Sequence, residues 1–148
     1  MKTLIRLFCL ILVLAVCAVF PGIAETADPP EPLTVDLDLS VMSGTMVYAQ
    51  VWNLLSNPDE FLGKVIRMAG YYSYFDDQAL GVVYHACIVP DATACCAQGI
   101  EFVWAEEHTW PDEYPEFGTD IVVTGRLEKY EENGVLYLHL VDAELTWE

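Results

Sequence analysis

An uninterrupted run of apolar residues near the start of the chain, residues 7–20, predicts an export leader. Basic Lys2 and Arg6 precede this run, and a Pro-Gly pair ends it. The tripeptide 22–24, Gly-Ile-Ala, then places small residues at the -3 and -1 positions of a cleavage site. Residues 1–24 are therefore predicted to be a signal peptide.

Two alternatives for this leader stay open. An uncleaved membrane anchor is one, although an apolar run of 14 residues is short for a hydrocarbon core of about 30 Å. The segment 14–17, Leu-Ala-Val-Cys, is similar to the acylation signal of lipoproteins, with a bulkier residue than usual before the cysteine. In each case the protein is predicted to be exported, to the extracellular side or the cell envelope. No second apolar run of that length follows, so no membrane insertion is expected after cleavage.

Beyond the leader, an acidic and proline-rich segment at 25–32 predicts a flexible spacer, and 33–148 a single domain. Apolar and polar residues alternate over 33–41, as in a strand with one solvated face. Apolar residues then recur at helical spacing from Ser43 to about Leu55. Five further strands are predicted at 65–74, 81–89, 99–105, 120–130 and 135–146, with an Asn-Gly hairpin turn joining the last two.

A helix followed by five short antiparallel strands is typical of a small closed barrel. The segments 64–70 and 120–127 resemble OB-fold barrels, with Gly70 and Gly125 where a barrel strand must coil sharply. The predicted fold is therefore mainly β, an OB-like five-stranded antiparallel barrel with an N-terminal strand and helix. An open β-sandwich with similar strands is the alternative.

Charge excludes one class of partner. The whole chain carries a net charge of -17, and both basic residues of the leader are lost on cleavage. Four basic against 23 acidic side chains then remain, a net charge of -19. Nucleic-acid partners are excluded, since phosphate contacts need clustered Lys or Arg, and an anionic membrane surface is disfavoured for the same reason.

The cysteines carry the clearest chemical signal, because disulfides persist in exported proteins. Two of the five lie in the leader, and Cys87, Cys95 and Cys96 remain. His85 and Cys87 are two residues apart on a predicted strand, so they share one face of it. We expect the following loop to double back and bring Cys95 and Cys96 near Cys87.

Three soft sulfur ligands predict a site for Zn(II) or Cu(I), with His85, Asp91 or His108 from the next loop as fourth ligand. Two other interpretations stay open. Cys87 could form a structural disulfide with one loop cysteine, which would leave the third unpaired. The same sulfurs could instead form a redox-active disulfide, although no Cys-x-x-Cys at a helix start supports it.

A resemblance to known proteins rests on two segments. Residues 91–102, Asp-Ala-Thr-Ala-Cys-Cys-Ala-Gln-Gly-Ile-Glu-Phe, follow 57–64, Asn-Pro-Asp-Glu-Phe-Leu-Gly-Lys. Together they resemble uncharacterised bacterial exported and envelope proteins and, more distantly, the OB-like C-terminal domain of membrane-permease partner proteins. The resemblance implies an OB-like fold, an envelope role linked to metal handling, and an envelope or permease protein as partner. Only Cys95 and Cys96 carry over to the distant relatives, and no activity is implied.

The sequence therefore predicts an exported, non-enzymatic domain that binds or handles a soft metal through a cysteine-rich hairpin loop. No nucleophile elbow, zinc-protease helix or phosphate-binding glycine loop is present. A thiol-disulfide redox protein using the same cysteines is one alternative. The other is a protein-interaction module whose acidic, aromatic loop at 106–118 contacts a partner while a structural disulfide holds the hairpin.

Overall fold

The computed structural model describes residues 33–148, and its dominant feature is a six-stranded mixed sheet with one α-helix. The predicted signal peptide, the acylation-like segment and the spacer lie outside the described residues. The elements are β1 (Leu37–Asp38), α1 (Gly44–Ser56), a 3-10 turn (Pro58–Glu60), β2 (Val65–Asp77), β3 (Val82–Pro90), β4 (Ala97–Trp104), β5 (Asp120–Glu132) and β6 (Val135–Trp147). The helix and the last five strands are confirmed. No helix in this part of the chain is long and apolar enough to cross a membrane.

The strand predicted over 33–41 is reduced to the two residues of β1, which pair in parallel with β2. The Asp38 carboxylate ends it by accepting hydrogen bonds from the backbone N–H and the hydroxyl of Ser40, at 2.9 and 2.6 Å. This local turn competes with the sheet ladder for the backbone. Leu39 is nevertheless wholly buried, as the alternation predicted, but Val41 in the same pattern is 79% exposed, so the predicted strand is too long.

Five strands pair in a cycle. β2 pairs with β3 and β5, β3 with β4, β4 with β6, and β6 with β5. An odd number of strands cannot alternate in direction around a cycle, so one neighbouring pair must be parallel, and here it is β4 with β6. The expectation of purely antiparallel strands is therefore wrong. The hairpin between β5 and β6 turns at Asn133 and Gly134, both with positive φ, as the Asn-Gly pair predicted.

Close backbone approach explains the two strand glycines. A Cβ on Gly70 would overlap the Ile88 carbonyl oxygen of β3 and lie 2.8 Å from Cys87 Sγ. A Cβ on Gly125 would lie 2.8 Å from Leu140 Cβ, at a position where the β5–β6 register shifts. The core lies between the sheet and α1, whose buried residues are Val47, Val51 and Leu54.

Candidate metal centre

The loop that joins β3 to β4, residues 91–96, is organised by the side chain of Asp91. Its Oδ1 accepts hydrogen bonds from the backbone N–H groups of Thr93 and Cys95, at 3.0 and 3.1 Å. The Asp91 N–H donates to the Cys96 carbonyl at 2.8 Å and closes the loop, while Ala94 takes a left-handed conformation with φ of 55°. These contacts hold both cysteines beside the carboxylate.

Three potential ligand atoms converge on this loop. One atom each of Asp91, Cys95 and Cys96 lies within 4.8 Å of the other two, so the group could hold a metal ion. Cys95 Sγ is 3.3 Å from Asp91 Oδ2 and 3.8 Å from Cys96 Sγ. Both cysteines are exposed free thiols. A carboxylate and two accessible thiols of this kind suit a soft or borderline cation.

The electrostatics of the loop depend on the same contacts. Desolvation raises the pKa of Asp91, but hydrogen bonds from Cys95 and Thr93 outweigh it and leave the pKa below its usual value. The hydrogen bond with Cys95, desolvation and the Asp91 carboxylate all raise the pKa of Cys96. A bound cation would oppose this effect, because positive charge stabilises a thiolate.

Cys87 is not part of this group. It lies on β3 with its side chain wholly buried in the core, its Sγ close to Gly70. In the sheet register it is opposite Tyr72 on one side and Ile100 on the other. Burial raises the pKa of its thiol to about 12, which strongly disfavours the thiolate that a metal would need. The structure therefore does not bring Cys87 to the two loop cysteines as a ligand.

Neither predicted histidine joins the group. His85 Nδ1 is hydrogen-bonded to the Tyr72 hydroxyl at 2.7 Å, and its ring stacks on Tyr114 with centroids 4.0 Å apart. Burial lowers the pKa of His85 to about 4, so the ring is neutral. The ring of His108 packs against Trp104, with centroids 3.6 Å apart. Both histidines belong to an aromatic cluster.

The structure also shows an arrangement that sequence reasoning missed. Glu101 alternates with buried Ile100 and Phe102 on β4, so its side chain lies on the opposite face of the sheet. There it accepts a 2.5 Å hydrogen bond from the Tyr130 hydroxyl of β5. The sequence offered one signal, because Glu101 is an acid at the centre of an apolar strand. Its partner Tyr130 is 29 residues away in the chain, so the sequence alone did not pair them.

Comparison with known proteins adds no assignment to this geometry. Neither the models of protein families nor the curated proteins searched give a match to the chain.

Proposed function

We propose that this protein binds a soft metal ion, Zn(II) or Cu(I), through Asp91, Cys95 and Cys96 and acts as a non-enzymatic metal-handling domain outside the cytoplasm. The observation that carries the proposal is the convergence of two thiols and one carboxylate within 4.8 Å on a six-residue loop. Export rests on the leader at 1–24.

The exposure of the loop favours an exchange site over a closed structural one. Structural zinc sites are completed by four protein ligands, whereas this group offers three. A water molecule, or a donor from an envelope or permease partner, would complete the shell. Since both thiols are exposed, such a partner can reach the ion directly.

The fold that presents the loop is proposed to be an OB-like barrel. The cycle of five strands and its single parallel pair support a closed arrangement over an open sandwich. In that arrangement the 91–96 loop connects the second and third strands of the barrel.

The test is metal analysis of the full chain purified without oxygen. We expect one zinc or copper(I) ion per chain, measured by mass spectrometry of the metal and by competition with a chelator of known affinity. Cys95→Ser and Cys96→Ser should each weaken metal binding by at least about tenfold. Losing a group that only hydrogen-bonds to a ligand already lowers metal affinity by about that factor, and losing the ligand itself should cost at least as much. Cys87→Ala, which removes the third sulfur, serves as the matched control and should retain the ion. A wild-type chain that takes up neither metal would refute the proposal.

A thiol-disulfide redox function is the second candidate, favoured by the 3.8 Å separation of the Cys95 and Cys96 sulfurs on an exposed loop. Thiol alkylation followed by mass measurement separates the two. Metal binding is supported if Cys95 and Cys96 become reactive on chelation of the folded protein, while Cys87 reacts only after unfolding. A Cys95–Cys96 disulfide that forms and reduces reversibly supports the redox function.

A further inference from the structure

A groove of aromatic rings and carboxylates crosses the sheet face opposite the core. We call it the aromatic–acid groove and define it by Tyr84, Glu101, Tyr130, Glu132, Tyr137 and His139. It consists of two adjoining cavities, of about 400 and 380 Å³, that share Tyr84, Glu101 and Tyr130. Each is within the size range of small-molecule sites. The groove shares no residue with the 91–96 loop.

Hydrogen bonds and ring contacts hold the lining of the groove in place. The Tyr84 hydroxyl donates to Glu132 at 2.7 Å, and the Tyr130 hydroxyl donates to Glu101 at 2.5 Å. The Tyr130 ring lies 5.4 Å from that of Tyr137 and 4.6 Å from that of His139. A carboxylate accepts up to about four hydrogen bonds, so both acids keep free acceptor positions for a ligand. The site is therefore ordered before any ligand arrives.

The negative charge of the groove favours a positively charged ligand. No Lys or Arg lines either cavity, although Asp77, Glu101 and Glu132 do. Aromatic faces also attract cations, more strongly where water is partly excluded. In the described part of the chain, the ion pairs join Arg126 to Asp142 and Lys129 to Asp59. Neither pair includes an acid of the groove.

The positions of the carboxylates argue against a single metal ion. Within residues 33–148, only Asp91, Cys95 and Cys96 bring three ligand atoms within 4.8 Å of one another. Asp77 and Glu132 line only the cavity of about 380 Å³, and Glu101 lines both cavities, as Tyr84 and Tyr130 do. The other cavity is lined mainly by apolar and aromatic residues, so a ligand that pairs with Glu101 and Glu132 and also fills it needs more than one positive charge and an apolar segment.

We propose that the aromatic–acid groove binds a linear aliphatic polyamine. Its protonated amines pair with Glu101 and Glu132, and its methylene segments pack on the rings of Tyr84 and Tyr130. An extended chain can reach from the acidic cavity of about 380 Å³ into the adjoining one, whereas a compact cation fills only one of them. This site is independent of the proposed metal centre.

The test is calorimetric titration of the full chain with spermidine, and with Mg²⁺ as a compact cation, in 150 mM salt. We expect one spermidine per chain, bound at least about tenfold more tightly than Mg²⁺. Glu101→Gln should weaken spermidine binding by at least about tenfold, the effect of losing one charged hydrogen bond. Glu144→Gln, the same change at an exposed position on β6 outside the groove, should alter it by less than about twofold.

Tyrosine variants test the role of the rings. Tyr130→Phe keeps the ring and should retain binding, whereas Tyr130→Ala should lose it. If Glu101→Gln fails to fold, Glu132→Gln, in a cavity that Glu101 also lines, repeats the charge test. Equal weakening by Glu101→Gln and Glu144→Gln would mean that spermidine responds only to net charge, and would overturn the proposal. Binding of Mg²⁺ as tight as that of spermidine would overturn it as well.

Discussion

Replacing Cys87 with serine tests whether this sulfur is a core residue or a ligand. The side chain is 0% exposed and lies against Gly70, so no water can reach a hydroxyl placed there. Loss of the apolar sulfur costs about 1 kcal/mol, comparable to a buried methylene. A hydroxyl that gains no hydrogen bond there costs a further 1–3 kcal/mol or so. We therefore expect Cys87→Ser to lower the free energy of unfolding by about 2–4 kcal/mol.

Urea denaturation followed by tryptophan fluorescence measures this change. Cys87→Ala removes the sulfur without adding a polar atom, so its cost should be about 1–2 kcal/mol. Cys96→Ser makes the same chemical change at an exposed position and should stay within about 0.5 kcal/mol of the wild type. The reasoning is refuted if Cys87→Ser is as stable as Cys96→Ser. It is also refuted if a folded Cys87→Ala protein has lost its metal, because Cys87 would then be a ligand.

Two further predictions concern the sheet and its half-buried histidine, His85. Gly70→Ala should lower the free energy of unfolding by about 1–3 kcal/mol, because the new methyl group meets the backbone of β3. In the control Gly44→Ala nothing lies within 4 Å of the added methyl group, so the free energy of unfolding should be unchanged or slightly raised. Urea denaturation of both variants measures these changes. His85 has a pKa of about 4 when folded and an ordinary value of 6.5, so its contribution to stability is present above pH 6.5 and lost as the pH falls toward 4. The free energy of unfolding of His85→Gln, measured by urea denaturation, should therefore fall less between pH 7 and pH 5 than that of the wild type. An equal fall in both proteins would contradict the conclusion that the folded protein holds the His85 ring neutral.

The fold was predictable wherever a local signal agreed with tertiary packing. Asn133 and Gly134 formed the expected turn because their left-handed conformations are set locally. The strand at 33–41 failed because Asp38 and Ser40 form a turn that alternation does not reveal. The parallel pairing of β4 with β6 follows from closing a cycle of five strands, a property that no single segment carries.

In the candidate site, too, the residues close together in sequence were predictable and those that depend on tertiary packing were not. Asp91, Cys95 and Cys96 are within six residues of one another, so a short loop brings them together. Cys87 and His85 were correctly placed on one strand face, but that face turned out to contribute to the interior. The strand is apolar on both faces, so the periodicity could not tell which one is buried. That choice depends on packing against distant strands.

The division between Cys87 and the loop cysteines bears on what a metal would do here. Small zinc domains that lack a core obtain their folding energy from the metal. In this chain the buried core includes Cys87 and does not include Cys95 or Cys96, and Asp91 already organises the loop through its own hydrogen bonds. An ion bound to the loop as proposed would therefore not be needed to hold the sheet together, and it could leave without unfolding the domain. A site whose occupancy is separate from folding can pass an ion to a partner, which is the property that metal handling requires.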